Sequence, residues 1–471
     1  MRYAFPPPMD FCFDRGTILI DALDVWDPEA SRLPGCFLWD PRVDRFRAPG
    51  FRLALFLEWL REQAIPYTYR TARPQDFRPD PEPPERLPEL RPYQEEALRA
   101  WMDSGCRGLL ALPTGSGKTR LAIRAILSLG EPTLVLVPTR PLLQQWREAL
   151  SRFYPGEIGL YGDGEHLLRP ITLATYESGR LNVDRYGDHF DLLVVDEAHH
   201  LASEELSETA QMATAPHRLG LSAAYPDDPG WLGKIEPFFG PIQYELSVTA
   251  LAGKHLAPFE VKVVPLRLAP EEQAEYDRHR MKFSAQFQPF RQASPSASWG
   301  EFVRAAVRSP DGREALAALR QSQEIVSLAR AKILALDLLL DLHRDAARLI
   351  FTANNRSAYE ISRRFLVPAI TCDIGRPERE DILRGFKEGR TRALVSSKVL
   401  NEGLDVPEAS VAIIVGGGSS PLEHLQRIGR VLRPQEGKKA IIYELVVAGT
   451  GEWRVSEWRA RSRVFCAASP L

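Results

Sequence analysis

Apolar residues come in short runs along the centre of this chain. Each run gives way to a stretch in which they return every three or four positions. GLLAL (108–112) leads into a glycine loop and then LAIRAILSL (121–129), and TLVLVP (133–138) leads into LLQQWREALSRF (142–153). ITLAT (171–175), DLLVV (191–195) and RLGLSAA (218–224) continue the series. Unbroken apolar runs predict strands buried on both faces, and the periodic stretches predict the helices that cover them. A parallel sheet with helices on both sides is therefore expected from Leu90 to about Leu246. The pattern restarts at FEVKVVPLRL (259–268). A charge-rich helical block runs from Pro270 to about Leu342, broken by QASPSASWG and SPDG. Strand and helix patterns then return as RLIFTA, AYEISRRFL, AITCD, ALVSS, VAIIVG and KAIIYELV.

Before residue 86, TILIDAL (17–23) alternates like a strand and FRLALFLEWLREQAI (51–65) has an amphipathic helical pattern. The proline-rich RPDPEPPERLPELRP (78–92) cannot hold a helix or a ladder and forms a stiff spacer. The expected organisation is an N-terminal α+β domain over 1–86, an α/β domain over 87–246, and a second α/β domain over 247–471 with a helical insertion at about 270–320. The two α/β halves share an architecture without a short-period repeat.

Composition narrows this picture. The 471 residues are too many for one ordinary core. With 44% hydrophobic and 26% charged residues the chain is globular. A net charge of −2 excludes a histone-like polycation and leaves room for a basic groove offset by acidic faces. The five cysteines contain no CxxC pair, so a zinc ribbon or iron–sulfur centre is not expected, and the reducing cytoplasm is the expected compartment. The start, MRYAFPPPMDFCFD, lacks the apolar run of a signal peptide. LALDLLLDLH (334–343), the most apolar stretch, carries Asp337 and Asp341, so no membrane span is expected.

ALPTGSGKT (111–119) joins a strand pattern to a helix pattern. Thr114, Gly115, Ser116 and Gly117 form a turn whose backbone N–H groups can face phosphate oxygens at a helix N-terminus. Lys118 would bridge the β- and γ-phosphates and Thr119 would hold Mg²⁺. The generic phosphate loop has glycine where this chain has Leu112. DLLVVDEAHH places Asp196 at a strand's carboxyl end, where it would hold Mg²⁺, and Glu197 beside it as the base or positioning group for an attacking water. His199 and His200 fit a hydrogen-bond relay better than a metal site. In LEHLQRIGRVLRP (422–434), Gln426, Arg430 and Arg433 share a helix face with Arg427 beside it, a set suited to developing phosphate charge or to a solvated face.

RPYQEEAL, LPTGSGKT, VLVPTRPLLQQW, ATYES, VVDEAHH, GLSAA, IFTANNRSA, SSKVLNEGLDVPEASVAI and QRIGRVLRP stand in the order of the superfamily 2 helicase motifs. The chain resembles that superfamily from Leu90 to about Val447, and within it the XPB type. CFLWDPRVDRFRAPGFRLALFLEWLREQAIPY resembles the damage-recognition domain of archaeal XPB, and IIYELVVAGTGEWRVSEWRARSR resembles the XPB C-terminal end. The resemblance implies an α/β fold of two RecA-like parallel-sheet domains, an N-terminal α+β domain and a helical thumb. It implies an ATP-dependent, 3′→5′ DNA helicase or translocase of nucleotide excision repair, using ATP and Mg²⁺ on duplex or forked DNA. It also implies a possible nuclease partner, as in archaeal XPB. Residue by residue, it gives Gln94 and Arg91 to adenine, Gly403 and Asp405 to sensing nucleotide and DNA, and Arg427 and Arg430 to the arginine fingers. Ser222 to Ala224 would couple hydrolysis to motion. Thr139, Arg140, Thr175, Ser396 and Ser397 would touch the DNA backbone. Two other readings stand beside this one: a branch-migration or restriction motor of the same superfamily, and an ATP-controlled scaffold that recruits a nuclease.

One departure bears on strand opening. XPB enzymes carry an Arg-Glu-Asp element soon after the GLSAA-like motif, and here the stretch is AYPDDPG (224–230). The triplet at Arg379 to Asp381 falls in the second α/β domain and is expected on a surface helix. In the thumb, Arg278, Arg280, Lys282, Arg291, Arg304, Arg308 and Arg313 interleave with Phe283, Phe287, Phe290 and Trp299, which suits either DNA contact or an aromatic core with a solvated face. Trp39, Arg42, Arg45, Phe46 and Arg47 suit a turn closing a small sheet better than a probe of distorted DNA.

Overall fold

The computed structural model describes residues 8–21, 33–79, 86–162, 164–225, 229–251, 258–295, 297–397, 409–416, 440–453 and 456. The chain divides into two compact units, Met1–Leu246 and Ser247–Leu471. Among the described residues, the first unit holds two sheets and the second holds one.

The small sheet of the first unit orders its strands Leu38–Asp40, Arg45–Pro49, Thr17–Ile20, Met9–Asp14 and Tyr67–Arg70. The helix Leu53–Glu62 covers it, placing Leu53, Phe56 and Leu60 in one cluster with Phe11, Ile18 and Ile20. Phe11 meets Phe56 edge-on at 5.0 Å, a favoured aromatic geometry. The basic residues of the hairpin are held within the sheet. Arg42 pairs with Asp40 at 2.8 Å, Arg47 with Asp14 at 2.9 Å, and Arg45 with Asp21. Trp39 lies against Phe46 at 5.2 Å. The arrangement is that of a turn closing a small sheet.

The large sheet has eight strands in the order Ile242–Glu245, Arg107–Ala111, His217–Ser222, Leu192–Asp196, Thr133–Val137, Ile171–Thr175, Gly159–Gly162 and Glu165–Leu167. All neighbours are parallel except the last pair. Every residue of Thr133–Val137, Ile171–Thr175 and Leu192–Asp196 is buried, as their unbroken apolar runs require. The small sheet docks beside the segment that enters the strand Leu192–Asp196. The Thr71 hydroxyl donates to Asp188 at 2.6 Å, Arg73 pairs with Asp191 at 2.8 Å, and Phe77 meets the Phe190 ring at 5.6 Å.

The second unit carries six parallel strands in the order Phe259–Leu266, Ala440–Val447, Val411–Ile414, Arg348–Phe351, Ala393–Ser396 and Ala369–Ile370. The helical block is Pro270–Ala293, Trp299–Val307 and Pro310–Ser327, followed by Arg330–Leu342. Phe283, Phe302, Ala306 and Ala315 form its core with Phe287 and Phe290 packed against them, so most of its aromatics serve packing. Trp299 is half exposed at its edge. The Arg-Glu-Asp triplet lies on the helix Arg376–Lys387, where Arg379 donates to the Ile374 carbonyl at 3.1 Å and Asp381 pairs with Arg384 at 2.6 Å. Among the described residues no helix is long and apolar enough to cross a membrane.

Glycine is required where the chain leaving the strand Arg45–Pro49 meets the end of the helix Glu204–Met212. A Cβ on Gly50 would stand 2.2 Å from the Met212 carbonyl oxygen, which no side-chain rotation relieves. Gly50→Ala should lower stability by about 1–3 kcal/mol, the usual cost of overpacking. Gly233, exposed in the helix Pro229–Phe239 with nothing within 4 Å, supplies the opposite sign. Gly233→Ala should raise stability by about 0.5–1 kcal/mol. Paired thermal unfolding curves check both, and equal shifts would refute the contact at Gly50.

Candidate active site

The loop from Pro113 to Gly117 follows the strand Arg107–Ala111 and opens the helix Lys118–Leu129. Gly115 and Gly117 have φ of 83° and 82°, values that side-chain-bearing residues avoid, and Gly117 is the helix N-cap. A Cβ on Gly117 would also stand 2.6 Å from the Gln94 amide nitrogen. Leu112 does not need the glycine of the generic loop. Its side chain is wholly buried, its N–H donates to the Ser222 carbonyl at 2.9 Å, and its own carbonyl accepts from the Lys118 ammonium at 3.1 Å.

The helix Pro92–Asp103 braces this loop from outside. The Tyr93 hydroxyl and the Gln94 amide each donate to the Ser116 carbonyl at 2.7 Å. Gln94 is buried, and its oxygen accepts from the Arg91 N–H at 2.8 Å. Gln94 thus clamps the loop as well as standing beside it. The Thr114 and Ser116 hydroxyls are buried and make no hydrogen bond among the described residues. Such groups call for a partner, and positive-φ glycines with orphaned hydroxyls at a helix N-terminus make a cradle that fits a polyphosphate.

Strand register brings the remaining chemistry to the same edge. The strand His217–Ser222 lies between the loop strand and the acid strand, with Ser222 opposite Ala111 and Leu221 opposite Asp196. Asp196 is 4% exposed. Its Oδ2 accepts from the Trp146 indole N–H at 2.8 Å and its Oδ1 from the Glu197 N–H at 3.0 Å. Burial pushes the Asp196 carboxyl up, opposed by the Lys118 charge and these donors. Glu197 takes φ 51° and ψ 46°, a left-handed conformation that costs a non-glycine residue about 1–2 kcal/mol. The buried Tyr176 hydroxyl donates to the Asp196 carbonyl and lies 3.1 Å from the Glu197 carbonyl. A strained residue held this way at a strand end is a familiar feature of functional sites.

His199 makes a hydrogen-bond link of the kind expected of the histidine pair, and His200 packs its ring beside it. His199 Nδ1 is 2.9 Å from the Ser222 hydroxyl and 3.4 Å from Glu197 Oε2. Ser222 donates its own proton to the Ala224 carbonyl at 2.6 Å, so His199 Nδ1 carries the hydrogen and Ser222 accepts it. Burial first, then His200 and Lys118, push the His199 pKa down to about 2, so the ring is neutral at any working pH. His200 stacks against His199 at 4.1 Å. The ring of Tyr225 is buried against Trp231 at 5.1 Å, and its hydroxyl has no hydrogen-bond partner among the described residues. Burial and the charges of Glu197 and Asp196 hold that hydroxyl protonated.

The first unit thus brings Arg91, Gln94, Thr114 to Thr119, Asp196 and Glu197 to one end of its large sheet. Thr139 and Thr175 lie nearby as the N-caps of the helices Arg140–Leu150 and Tyr176–Tyr186; Arg140 is exposed, whereas Thr175 is buried with its hydroxyl donating to the Ser178 hydroxyl at 3.0 Å. In the second unit Ser396 and Ser397 are buried, their hydroxyls donating to the Ile370 carbonyl and to Asn355. They are withdrawn from the surface expected of a backbone contact. Gly403, Asp405, Gln426, Arg427, Arg430 and Arg433 lie outside the described residues. Trp146, Tyr176 and Tyr225 are site residues that the motifs did not single out. Their signal in the sequence was position alone: Trp146 ends VLVPTRPLLQQW, Tyr176 stands within ATYES, and Tyr225 follows GLSAA.

Known families match in three places. Residues 12–70 match the Xeroderma pigmentosum group B helicase damage recognition domain, 87–227 the type III restriction enzyme res subunit, and 331–435 the helicase conserved C-terminal domain. The chain is 38% identical over 373 residues to the DNA 3′-5′ translocase XPB2 of Sulfurisphaera tokodaii, covering 79% of this chain and 84% of that one. It is 29% identical to the DNA 3′-5′ helicase XPB of Mycobacterium tuberculosis, covering 76% of this chain and 60% of that one. Among solved structures, S. cerevisiae Dbp5 bound to RNA and ADP BeF3 matches with a TM-score of 0.52 at 16% identity, covering 80% of this chain and 88% of that one. That likeness concerns the fold, which is α/β with two RecA-like parallel-sheet domains. With its ordered motifs, its damage-recognition match and its 38% identity to an archaeal relative, the chain belongs to the XPB-type family of superfamily 2 DNA helicases and translocases.

Proposed function

We propose that this chain is a DNA-dependent ATPase that couples hydrolysis to 3′→5′ movement on, or opening of, duplex DNA in nucleotide excision repair. The observation that carries the reading is the meeting of Lys118, Asp196 and Glu197 at one sheet edge, with Lys118 close enough to Asp196 for its charge to act on that carboxyl. The names of the relatives support DNA as the track and 3′→5′ as the direction.

In this reading the cradle from Thr114 to Thr119 holds the ATP phosphates. Thr119 and Asp196 would hold Mg²⁺, which supplies positive charge against the β- and γ-phosphate oxygens. Lys118 turns from the Leu112 carbonyl to those oxygens. Glu197 accepts the proton of the attacking water, aimed by its left-handed backbone. Neutral His199 keeps Glu197 in contact with Ser222 and so with the segment after the strand His217–Ser222. Arg91 and Gln94 take the base, and the family resemblance gives Gly403 and Asp405 the sensing of nucleotide and DNA and Arg427 and Arg430 the role of arginine fingers. Thr139, Arg140, Thr175 and the loops bearing Ser396 and Ser397 contact phosphates without reading sequence. A nuclease partner is compatible with this activity and is not required by it.

Glu197→Gln should bind ATP normally and lose about 10²–10⁴ in turnover, because the amide cannot accept the proton. Stopped-flow binding and steady-state hydrolysis with saturating DNA measure the two sides, and near-normal turnover removes Glu197 from its role.

Arg430→Ala should cut DNA-stimulated turnover by about 10³–10⁵, the usual worth of an arginine finger. Arg430→Lys should restore little, since one ammonium cannot reproduce the planar fork. Silence in both variants would place Arg430 on a solvated face.

Arg304 and Arg308 are exposed on the thumb. If both neutralise phosphates, changing both to Gln should flatten log affinity against log salt by about 1.8, at ~0.9 per duplex phosphate. Fluorescence anisotropy over a salt series reads the slope, and an unchanged value assigns these residues to solvation.

A further inference from the structure

Two side chains to which the motif reading gives no role hold the acid pair, and each comes from an element whose beginning is proposed to meet nucleic acid. Trp146 lies in the helix Arg140–Leu150, wholly buried, with its indole N–H on Asp196 Oδ2. Thr139 and Arg140 stand at the start of that helix, about 9 Å away along its axis at 1.5 Å per residue. Tyr176 is the first residue of the helix Tyr176–Tyr186, directly after its N-cap Thr175. Its hydroxyl reaches the carbonyls of both Asp196 and Glu197. One O–H has one proton, so these successive carbonyls compete for it. A small movement of Tyr176 shifts the proton between them and turns the peptide that aims Glu197. A packed helix moves as a unit, so displacement at its first residue reaches the side chains behind it.

We infer that Tyr176, with Trp146 in support, is a positioning residue through which DNA seated at Thr139 and Arg140 and over the first turn of the helix Tyr176–Tyr186, beside the buried Thr175, sets the geometry of Asp196 and Glu197. The inference rests on the proposed DNA contacts of those residues and gives DNA stimulation a physical route. Neither side chain touches the reacting atoms. Tyr176 acts on backbone and Trp146 on the Asp196 carboxylate.

The test uses the full chain with Tyr176→Phe, which deletes one oxygen and keeps the buried ring, and with Trp146→Phe. Four quantities are read: turnover without DNA, turnover with saturating duplex, DNA affinity, and the KM for ATP. Tyr176→Phe should keep DNA affinity and KM near wild type while the ratio of stimulated to basal turnover falls about tenfold, within the range of coupled sites. Trp146→Phe should lower the same ratio and raise the Mg²⁺ concentration for half-maximal turnover, because Asp196 loses a fixed donor. Thr175→Ala combined with Tyr176→Phe should lower the ratio no further than Tyr176→Phe alone. An unchanged ratio in Tyr176→Phe overturns the inference. So does an equal fall in basal and stimulated turnover, since the hydroxyl would then place the acid pair without regard to DNA. Wild-type protein that DNA does not stimulate would instead overturn the proposed function, and this inference with it.

Discussion

A carboxylate buried at the end of a parallel strand is the constraint around which the first unit is built. Asp196 loses most of its hydration, and an ion so placed survives only with charge and hydrogen-bond donors at hand. Three partners oppose the burial: the Lys118 charge, the Trp146 indole and the Glu197 N–H. Each belongs to a different structural device. Lys118 requires the glycine turn that starts its helix. Trp146 requires a helix packed over the strands Ile171–Thr175 and Thr133–Val137, from which it reaches the end of the acid strand. The Glu197 N–H bonds back to Asp196 while its own residue stands in the left-handed region. The loop, the helix and the strained turn thus meet on one ion.

Strand order makes this convergence possible. The strand His217–Ser222 lies between the loop strand and the acid strand, so its end touches both. Leu112 donates to the Ser222 carbonyl, and the Ser222 hydroxyl accepts from His199. One serine therefore reports on the phosphate loop through its backbone and on the acid pair through its side chain. A neutral His199 suits that link. A charged ring would bring a positive charge to Glu197 and weaken it as a proton acceptor.

Much of the fold was legible because burial on both faces leaves a plain trace in the sequence. GLLAL, TLVLV, ITLAT and LLVV each became a central strand of the large sheet. The phosphate loop and the acids followed, since glycines before Lys118 and acids after a buried strand have few other uses. What escaped notice were aromatic residues whose polar ends work inside a core. Trp146 falls at helical spacing with Leu143 and Leu150 and is buried with them. Nothing in that spacing says that its N–H meets a carboxylate formed fifty residues later. The hairpin of Gly159–Gly162 and Glu165–Leu167 was missed for another reason: an edge pair rich in glycine and polar residues has no apolar run to announce it. Ser396 and Ser397 followed the motif pattern, yet tertiary packing turned their hydroxyls inward.

The second unit repeats the principle of a buried ion that fixes a strand end, with the sign reversed. Lys332 is fully buried in the helix Arg330–Leu342, and its ammonium donates to the Val415 carbonyl and to Glu452 at 2.8 Å. Burial pulls its pKa down and the Glu452 carboxylate pulls it back. Removing one partner of such a pair costs about 3–5 kcal/mol, because the other charge is left stranded. The pair therefore locks the end of the strand Val411–Ile414, just before the chain enters the segment that bears Arg427 and Arg430. The arginine fingers proposed for that segment would need a rigid base, because their worth depends on placement within a fraction of an ångström. The triplet at Arg379 to Asp381 lacks that character. Its arginine caps nearby carbonyls and its aspartate pairs with a neighbour on the same exposed helix, so it is surface structure. Whatever opens strands here must work without it.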